Sequence, residues 1–338
     1  TNPKLIGHRY NHLSTIHTTI PDMQIVIPGA LPATSTAQSL IPYLAQRTPK
    51  LIQWFARSHA RAEQVNLLTV ACTATEYWAL SHTRAFKPSA NQNVSSGLGP
   101  FLEPNIEQPD TPVWIIELVH VSPSQNGAAL LTANQLGISQ QESVSLFESA
   151  RGVFLHYGYE LRPGRDPARW IVTLPNDLRP VSVSPALVAN TSMNDWWPQD
   201  TASRPWRQFV NELQMTWYDH PVNLARNAQG QAAINSIWLY GGATTSQLNP
   251  LNNTPATQWH HDLLEPFQAE DWGQWLERLQ HLEPTLIDAL GGRDTLKTEL
   301  VLIGEDRVVT LQPSALMRLR ARLPGQATHW RNWWSPLN

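Results

Sequence analysis

Hydrophobic and polar positions along the chain alternate between two periods. MQIVIPGAL, from Met23, opens with a short buried-strand run over residues 24 to 28, and the Pro28-Gly29 pair after it predicts a turn. Ser39 to Glu63 carries helical spacing as one helix or a broken pair, with Pro42 and Pro49 as interruptions. Leu67 to Cys72 predicts a strand and ATEYWALSHTRAF a helix. Residues 87 to 112 hold Pro88, Pro100, Pro104, Pro109 and Pro112 together with Gly97 and Gly99, the composition of a linker or mobile loop. VWIIELVHV is nearly continuous and apolar, as a strand covered on both faces must be. Ser139 to His156 predicts a helix, with Ser139 as N-cap and Glu142 three residues on in capping-box spacing. RWIVTL alternates as a strand, and Trp206 to Tyr218 has helical spacing. Toward the C-terminus come a helix over Asp271 to Leu290, a hairpin of TELVLI and RVVTL across GED, and a helix over Pro313 to Leu323. Alternating strands and helices predict an α/β protein with a mixed sheet flanked by helices.

Composition narrows the function. The chain has 338 residues, 41% hydrophobic and 15% charged, enough for a sizeable core and for about two domains. Its net charge of -3 provides no global positive field, so no nucleic acid and no anionic membrane is expected as partner. A lone cysteine, Cys72, excludes a disulfide framework and a cysteine-cluster zinc site, and together with the absence of a secretory pattern it predicts a cytoplasmic protein. No apolar run reaches the ~18 residues needed to span a bilayer. The first 22 residues are polar and aperiodic, the pattern of a disordered or non-native arm with Met23 as a native start; His8, His12 and His17 within it are spaced too irregularly to point to a metal.

The densest polar chemistry is NELQMTWYDHPVNLARNAQGQAAINSIWLYGGA, residues 211 to 243. On a helix, Asn211, Gln214 and Tyr218 share a face. His220 begins a proline-directed turn, and Asn223 and Arg226 lie three apart on a following helix, with Asn235 just before the strand SIWLY. Arg226 is the natural anion binder, because a guanidinium grips carboxylate or phosphate with two parallel hydrogen bonds. The same residues can equally form an internal polar network, with the asparagines capping elements and Arg226 paired to an acid. Gly241-Gly242 either allows close approach of an anion or makes a simple turn. Of the fifteen tryptophans, Trp196, Trp197, Trp206, Trp217 and Trp238 are core packing or a stacking platform. Arg318, Arg320, Arg322 and Arg331 with Trp330, Trp333 and Trp334 make a basic-aromatic end, read as a basic helix face with tryptophans docked on the body.

DHPVNLARNAQGQAAINSIWLYGGA resembles the His-Pro-Val-Asn to Asn-Ser-hydrophobic-Trp segment of archaeal-type, cofactor-independent phosphoglycerate mutases. NDWWPQD with WRQFVNELQM, and IELVHVSPSQNGAALL, are similar to the RpfE-type regulatory proteins related to them. The resemblance covers Met23 to about Ala243 and, more loosely, the C-terminal third. It implies a reduced alkaline-phosphatase-like core from residues 23–115 and 236–338, with 116–235 as an inserted lobe. It also implies a sheet that binds two divalent ions and a serine phosphoryl carrier, and here the chain departs from it. The first strand ends IVIPGAL, where the enzymes have a ligating aspartate. His260-His261-Asp262 is the nearest substitute ligand set, and Ser35 or Ser39 stands nearest the carrier. The expectation is a mutase-like protein without the two-metal set and with no cofactor, which binds a small anionic ligand or a protein partner through Asn211, Gln214, His220, Asn223, Arg226 and Asn235 in a regulatory role. The competing expectations are an active phosphotransferase or phosphatase carrying manganese or zinc, and a structural interaction module.

Overall fold

The computed structural model describes residues 21–124, 127–175, 178, 180–291, 298–323 and 326–336. His8, His12 and His17 lie outside the described residues. The strands are β1 (Met23–Leu31), β2 (Ser58–Gln64), β3 (Arg84–Phe86), β4 (Trp114–Ser124), β5 (Gly127–Leu131), β6 (Glu160–Pro163), β7 (Arg169–Thr173), β8 (Ser236–Gly241), β9 (Leu248–Pro250), β10 (Ala256–Trp259), β11 (Thr298–Gly304) and β12 (Arg307–Pro313).

A mixed five-stranded sheet has the order β10-β1-β11-β12-β2, with β1 parallel to both neighbours and the remaining pairs antiparallel. β1 and β11 are buried almost end to end, and their side chains separate with period two. Ile25, Ile27, Leu300 and Leu302 enter a core with the helices Thr34–Arg47, Pro49–Phe55 and Trp272–Leu290, whereas Val26, Val301 and Ile303 enter a second core on the opposite face. That second core also receives Ile115 and Val119 of β4 and Trp238 and Tyr240 of β8. These strands belong to a separate antiparallel sheet, in which β4 pairs with β5, β7 and β8, and β7 with β6. The alternate residues Ile116, Leu118, Ile237 and Leu239 pack beneath the helices Gln140–His156 and Arg204–Trp217. The protein is thus an α/β fold in which two sheets share one apolar layer and each carries helices on its far face. Among the described residues no helix is long and apolar enough to cross a membrane.

Several local expectations change. Pro28-Gly29 is no turn: β1 continues to Leu31 through a register shift, where Gly29 takes φ +72° and a Cβ would come 3.0 Å from Leu263 O. The first helix passes through Pro42 and the break falls at Thr48-Pro49. SHARAEQ is an edge strand, because its partner β12 offers a full ladder that outweighs its polar, helix-compatible composition. Leu67–Val70 is a short helix capped by Asn66, not a strand. The closing helix is Ala315–Arg320, shorter than its pattern suggested.

The middle of the segment 87–112 is packed, not a linker, while residues 87–91 and most of 104–112 are exposed. Ser95 to Pro100 are buried, Asn93 Nδ2 donates to Ser182 O at 2.8 Å, and a Cβ on Gly99 would fall 2.0 Å from Val113 O. Its glycines serve close backbone packing. Ser236–Gly241, assigned from the sequence to the same body as β1, pairs with β4 across Trp114↔Gly241 to Val119↔Ser236. At the C-terminus, Trp330, Trp333 and Trp334 are buried, with Trp334 Nε1 donating to Ala37 O at 2.9 Å.

Gly99→Ala is expected to lower stability by about 1–3 kcal/mol, the cost of overpacking against backbone that cannot retreat. Gly152→Ala, inside the helix Gln140–His156 with nothing within 4 Å of the added Cβ, raises it by ~0.5–1 kcal/mol. Urea denaturation of the two variants checks both signs.

Candidate functional site

The signature segment folds as two helices, Arg204–Trp217 and Pro221–Ala228, followed by β8. His220 is the N-cap of the second, its Nδ1 accepting from Val222 N at 3.3 Å. Burial lowers its pKa, so the imidazole favours the neutral acceptor form. Asn223 is buried and donates from Nδ2 to Trp217 O (2.8 Å) and Ile234 O (2.9 Å), while its Oδ1 accepts from Ile234 N (2.8 Å). Asn235 donates to Val121 O and accepts from Val121 N, both at 2.8 Å, so its amide acts as one more rung beside β4. Gln214 donates to Ser236 Oγ at 3.2 Å, and Asn211 is exposed.

Arg226 is 3% exposed and donates three times: Nε to Ala232 O, Nη1 to Glu142 Oε1 and Nη2 to Leu136 O, each at 2.7 Å. Glu142 closes the capping box at Ser139, taking that residue's N and Oγ at 2.8 Å. Burial works against its charge, but the bonds from Ser139 and Arg226 outweigh it and hold the carboxyl below the ordinary range. Arg226 therefore ties the helix Pro221–Ala228 to the start of Gln140–His156. The geometry realises the internal-network alternative for Asn223, Arg226 and Asn235. The glycine pair offers no amide cradle either: Gly241 N donates to Ser182 Oγ and Gly242 N to Val113 O, both at 2.8 Å.

A cavity of about 820 Å³ lies elsewhere, where the two sheets part. One wall is the C-terminal end of the parallel strands: Gly29 of β1, Gly304 of β11, and Trp259 and His261 at and after β10. Crevices at the carboxyl ends of parallel strands are where open α/β sheets bind ligands, because neighbouring connections diverge there. The facing wall holds Glu76, Glu117 of β4, Arg169 of β7 and Tyr240 of β8. Leu98, Phe101, Leu187, Phe267 and Trp272 supply apolar surface.

Glu117 Oε2 accepts from Tyr240 Oη (3.1 Å) and Arg169 Nε (3.3 Å), and Arg169 Nη1 also meets Asp166 Oδ2 at 3.5 Å. Glu76 sits at N3 of the helix Ala74–Thr83, where its Oε2 accepts from Thr73 N (2.9 Å), Thr73 Oγ1 (2.9 Å) and Ser184 Oγ (2.6 Å). Among the described residues its Oε1 makes no hydrogen bond. Burial raises both carboxyls, against the lowering pull of Ser184 and Thr73 on Glu76 and of Arg169 on Glu117. Burial and then Glu117 push the Tyr240 phenol well up, so it remains a donor.

No protein-family model matches the chain, and no curated protein does. Among solved structures, the chain is similar to the PH0037 protein of Pyrococcus horikoshii, with TM-score 0.44 and 10% identity over 87% of this chain and 88% of that one. It is also similar to a cofactor-independent phosphoglycerate mutase of Thermoplasma acidophilum, with TM-score 0.32 and 13% identity over 88% and 90%. Both likenesses are distant and concern the chain path alone.

The cavity does not fit the two-metal set that the sequence resemblance implies. β1 presents Pro28 and Gly29 at its end, β11 ends in Gly304, and the floor carboxylates already accept bonds from protein donors. Among the described residues no group of three or more His, Cys, Asp or Glu is placed to hold an ion. His261 is exposed and stacks on Trp259, with ring centroids 5.7 Å apart, and His260 lies 3.9 Å from Asp262. Ser35 and Ser39 are exposed, with Ser39 Oγ bonded to Ser35 O, and Thr36 is the residue of that helix that lines the cavity. Sequence reading passed over Glu117, Arg169 and Tyr240. The one available signal was a lone acid inside the apolar run VWIIELVHV, which needs a buried partner.

Arg226→Ala is expected to destabilise by about 3 kcal/mol, because it strands a part-buried carboxylate and two carbonyls. The depressed Glu142 pKa contributes stability above the ordinary carboxylate value of 4.5 that is lost as pH falls through the folded pKa, so the deficit of the variant narrows in acid. Glu76→Gln has the opposite signature. With a raised folded pKa, the wild type loses stability as pH rises above 4.5; the amide removes that loss and keeps the capping box, so its melting temperature exceeds wild type at pH ~8 and matches it below pH 4.5. Thermal melts across pH check both.

Proposed function

We propose that this is a mutase-like protein of the RpfE type that binds a small organic molecule in the cavity between its two sheets and acts through that binding in a regulatory role. The observation that carries the reading is the cavity itself. It is large enough for a metabolite, stands at the strand ends where α/β sheets receive ligands, is walled by aromatic and aliphatic side chains, and has a polar floor held rigid by the Glu117–Arg169–Tyr240 bonds. Among the described residues, Arg169 Nη2 has no acceptor besides the bonds that Nε and Nη1 make to Glu117 and Asp166, and Glu76 Oε1 has no donor. Polar atoms in the wall of a largely apolar cavity are available to an occupant and orient it. The motif resemblance of residues 211 to 243 supports the family half of the proposal. On this reading that segment supplies strand β8, whose Tyr240 lines the site, and helices that support the sheet from its far face.

Native mass spectrometry after incubation with a small-molecule metabolite extract tests the reading. Wild type is expected to retain a small molecule, and Ala79→Trp and Ala186→Trp, each placing an indole into the cavity lining, are expected to lose it while melting cooperatively. Retention of the same molecule by both filled variants would place binding elsewhere.

A further inference from the structure

The charge of the cavity specifies the class of its ligand, an inference that rests on the cavity being a ligand site. Five acids line it, Glu76, Glu117, Glu265, Glu270 and Glu305, against one guanidinium, Arg169, and one imidazole, His261. Glu117 is matched by Arg169 at 3.3 Å and Glu265 by Arg278 at 2.8 Å. Glu76, Glu270 and Glu305 have no ion-pair partner among the described residues. The lining therefore carries excess negative charge, which repels an anion and concentrates a cation. The one arginine that pointed to an anionic ligand, Arg226, is bonded internally and lies outside this cavity.

Glu76 is the acid best built to receive a cation. Its Oε2 is fixed by Thr73 and Ser184, so the carboxylate of this cavity-lining residue is held in one orientation, with no hydrogen bond to Oε1 among the described residues. Leu98, Phe101, Ala79, Trp259, Phe267 and Trp272 give the same cavity its apolar surface, and the Arg169 guanidinium acts on Glu76 from a distance without an ion pair. An ammonium group gains most from a desolvated carboxylate, and aromatic faces attract both the cation and the hydrocarbon that carries it. Inorganic cations would find one oxygen and no ring of ligands.

We propose that the cavity binds an organic ammonium ligand with an apolar or aromatic body, its nitrogen bonded to Glu76 Oε1. The Glu117–Arg169–Tyr240 group forms the rigid floor beside it.

Titration followed by tryptophan fluorescence and by melting temperature, with phenethylamine, hydrocinnamate and phenethyl alcohol as probes of equal size, tests the proposal. Phenethylamine is expected to bind saturably and at least about tenfold more tightly than the other two, the contribution of one charge-assisted hydrogen bond. Glu76→Gln should weaken phenethylamine by about the same factor and leave phenethyl alcohol unchanged. Its cooperative melt controls for folding. Hydrocinnamate binding as tightly as the amine overturns the cationic class and leaves the cavity reading standing. Equal amine affinity in Glu76→Gln overturns the anchor. Failure of all three probes on wild type overturns the proposal, and retention of a metabolite lost in the Ala79→Trp and Ala186→Trp variants then still decides the cavity reading separately.

Discussion

Two sheets turn one face each onto the same apolar layer, and the rest of the molecule follows from that shared burial. Val26, Val301 and Ile303 on one side meet Ile115, Val119, Trp238 and Tyr240 on the other, with Trp78 of the helix Ala74–Thr83 and Val183 between them. Two packed sheets are in contact where their facing side chains interdigitate. Where they diverge, at the carboxyl ends of β1 and β11, the cavity opens. Its polar floor is the edge of the same layer: Glu117 and Tyr240 lie on the strands that supply the apolar contact a residue or two away.

Asn223, Arg226 and Asn235, within residues 211 to 243, are internal joinery. Arg226 donates to two loop carbonyls and to the acid that caps a neighbouring helix, Asn223 satisfies three backbone groups across a chain reversal, and Asn235 extends the edge of β4. Buried backbone groups outside helices and strands require such partners, and amide and guanidinium side chains supply several bonds from one residue. A dense polar motif is thus as characteristic of a difficult chain path as of a ligand site. Burial with hydrogen bonding separates the two cases: Asn223 and Arg226 are buried and bonded to protein atoms, whereas Glu76 and Arg169 line the cavity.

Charge follows the same logic. Glu117 is tolerated inside an apolar strand because Arg169 and Tyr240 converge on it from β7 and β8, which pair with β4 on either side of it. Glu76 is tolerated because one oxygen caps a helix and joins Ser184. Neither acid can relax into water without breaking the contacts that shape the cavity, so the floor is pre-organised.

The sequence by itself determined the elements whose signal is local. The apolar runs of β1, β4, β8 and β11, the Ser139–Glu142 capping box, the helix after Asp271 and the β11–β12 hairpin were all legible, because periodicity and caps act within a few residues. Only the tertiary structure decided the rest. SHARAEQ became a strand because β12 needed an edge partner, and Leu67–Val70 a helix because Asn66 caps it and Ala71 turns the chain with φ 54°. Gly97, Gly99 and Pro100 became packing residues because Gly99 meets Val113 and Gly241 at backbone distance. The choice between network and ligand site for Arg226, and the meeting of Glu76, Glu117, Arg169 and Tyr240, depend on residues up to 164 positions apart, from 76 to 240. No local pattern encodes such a distance; it is fixed when two sheets bury one common face.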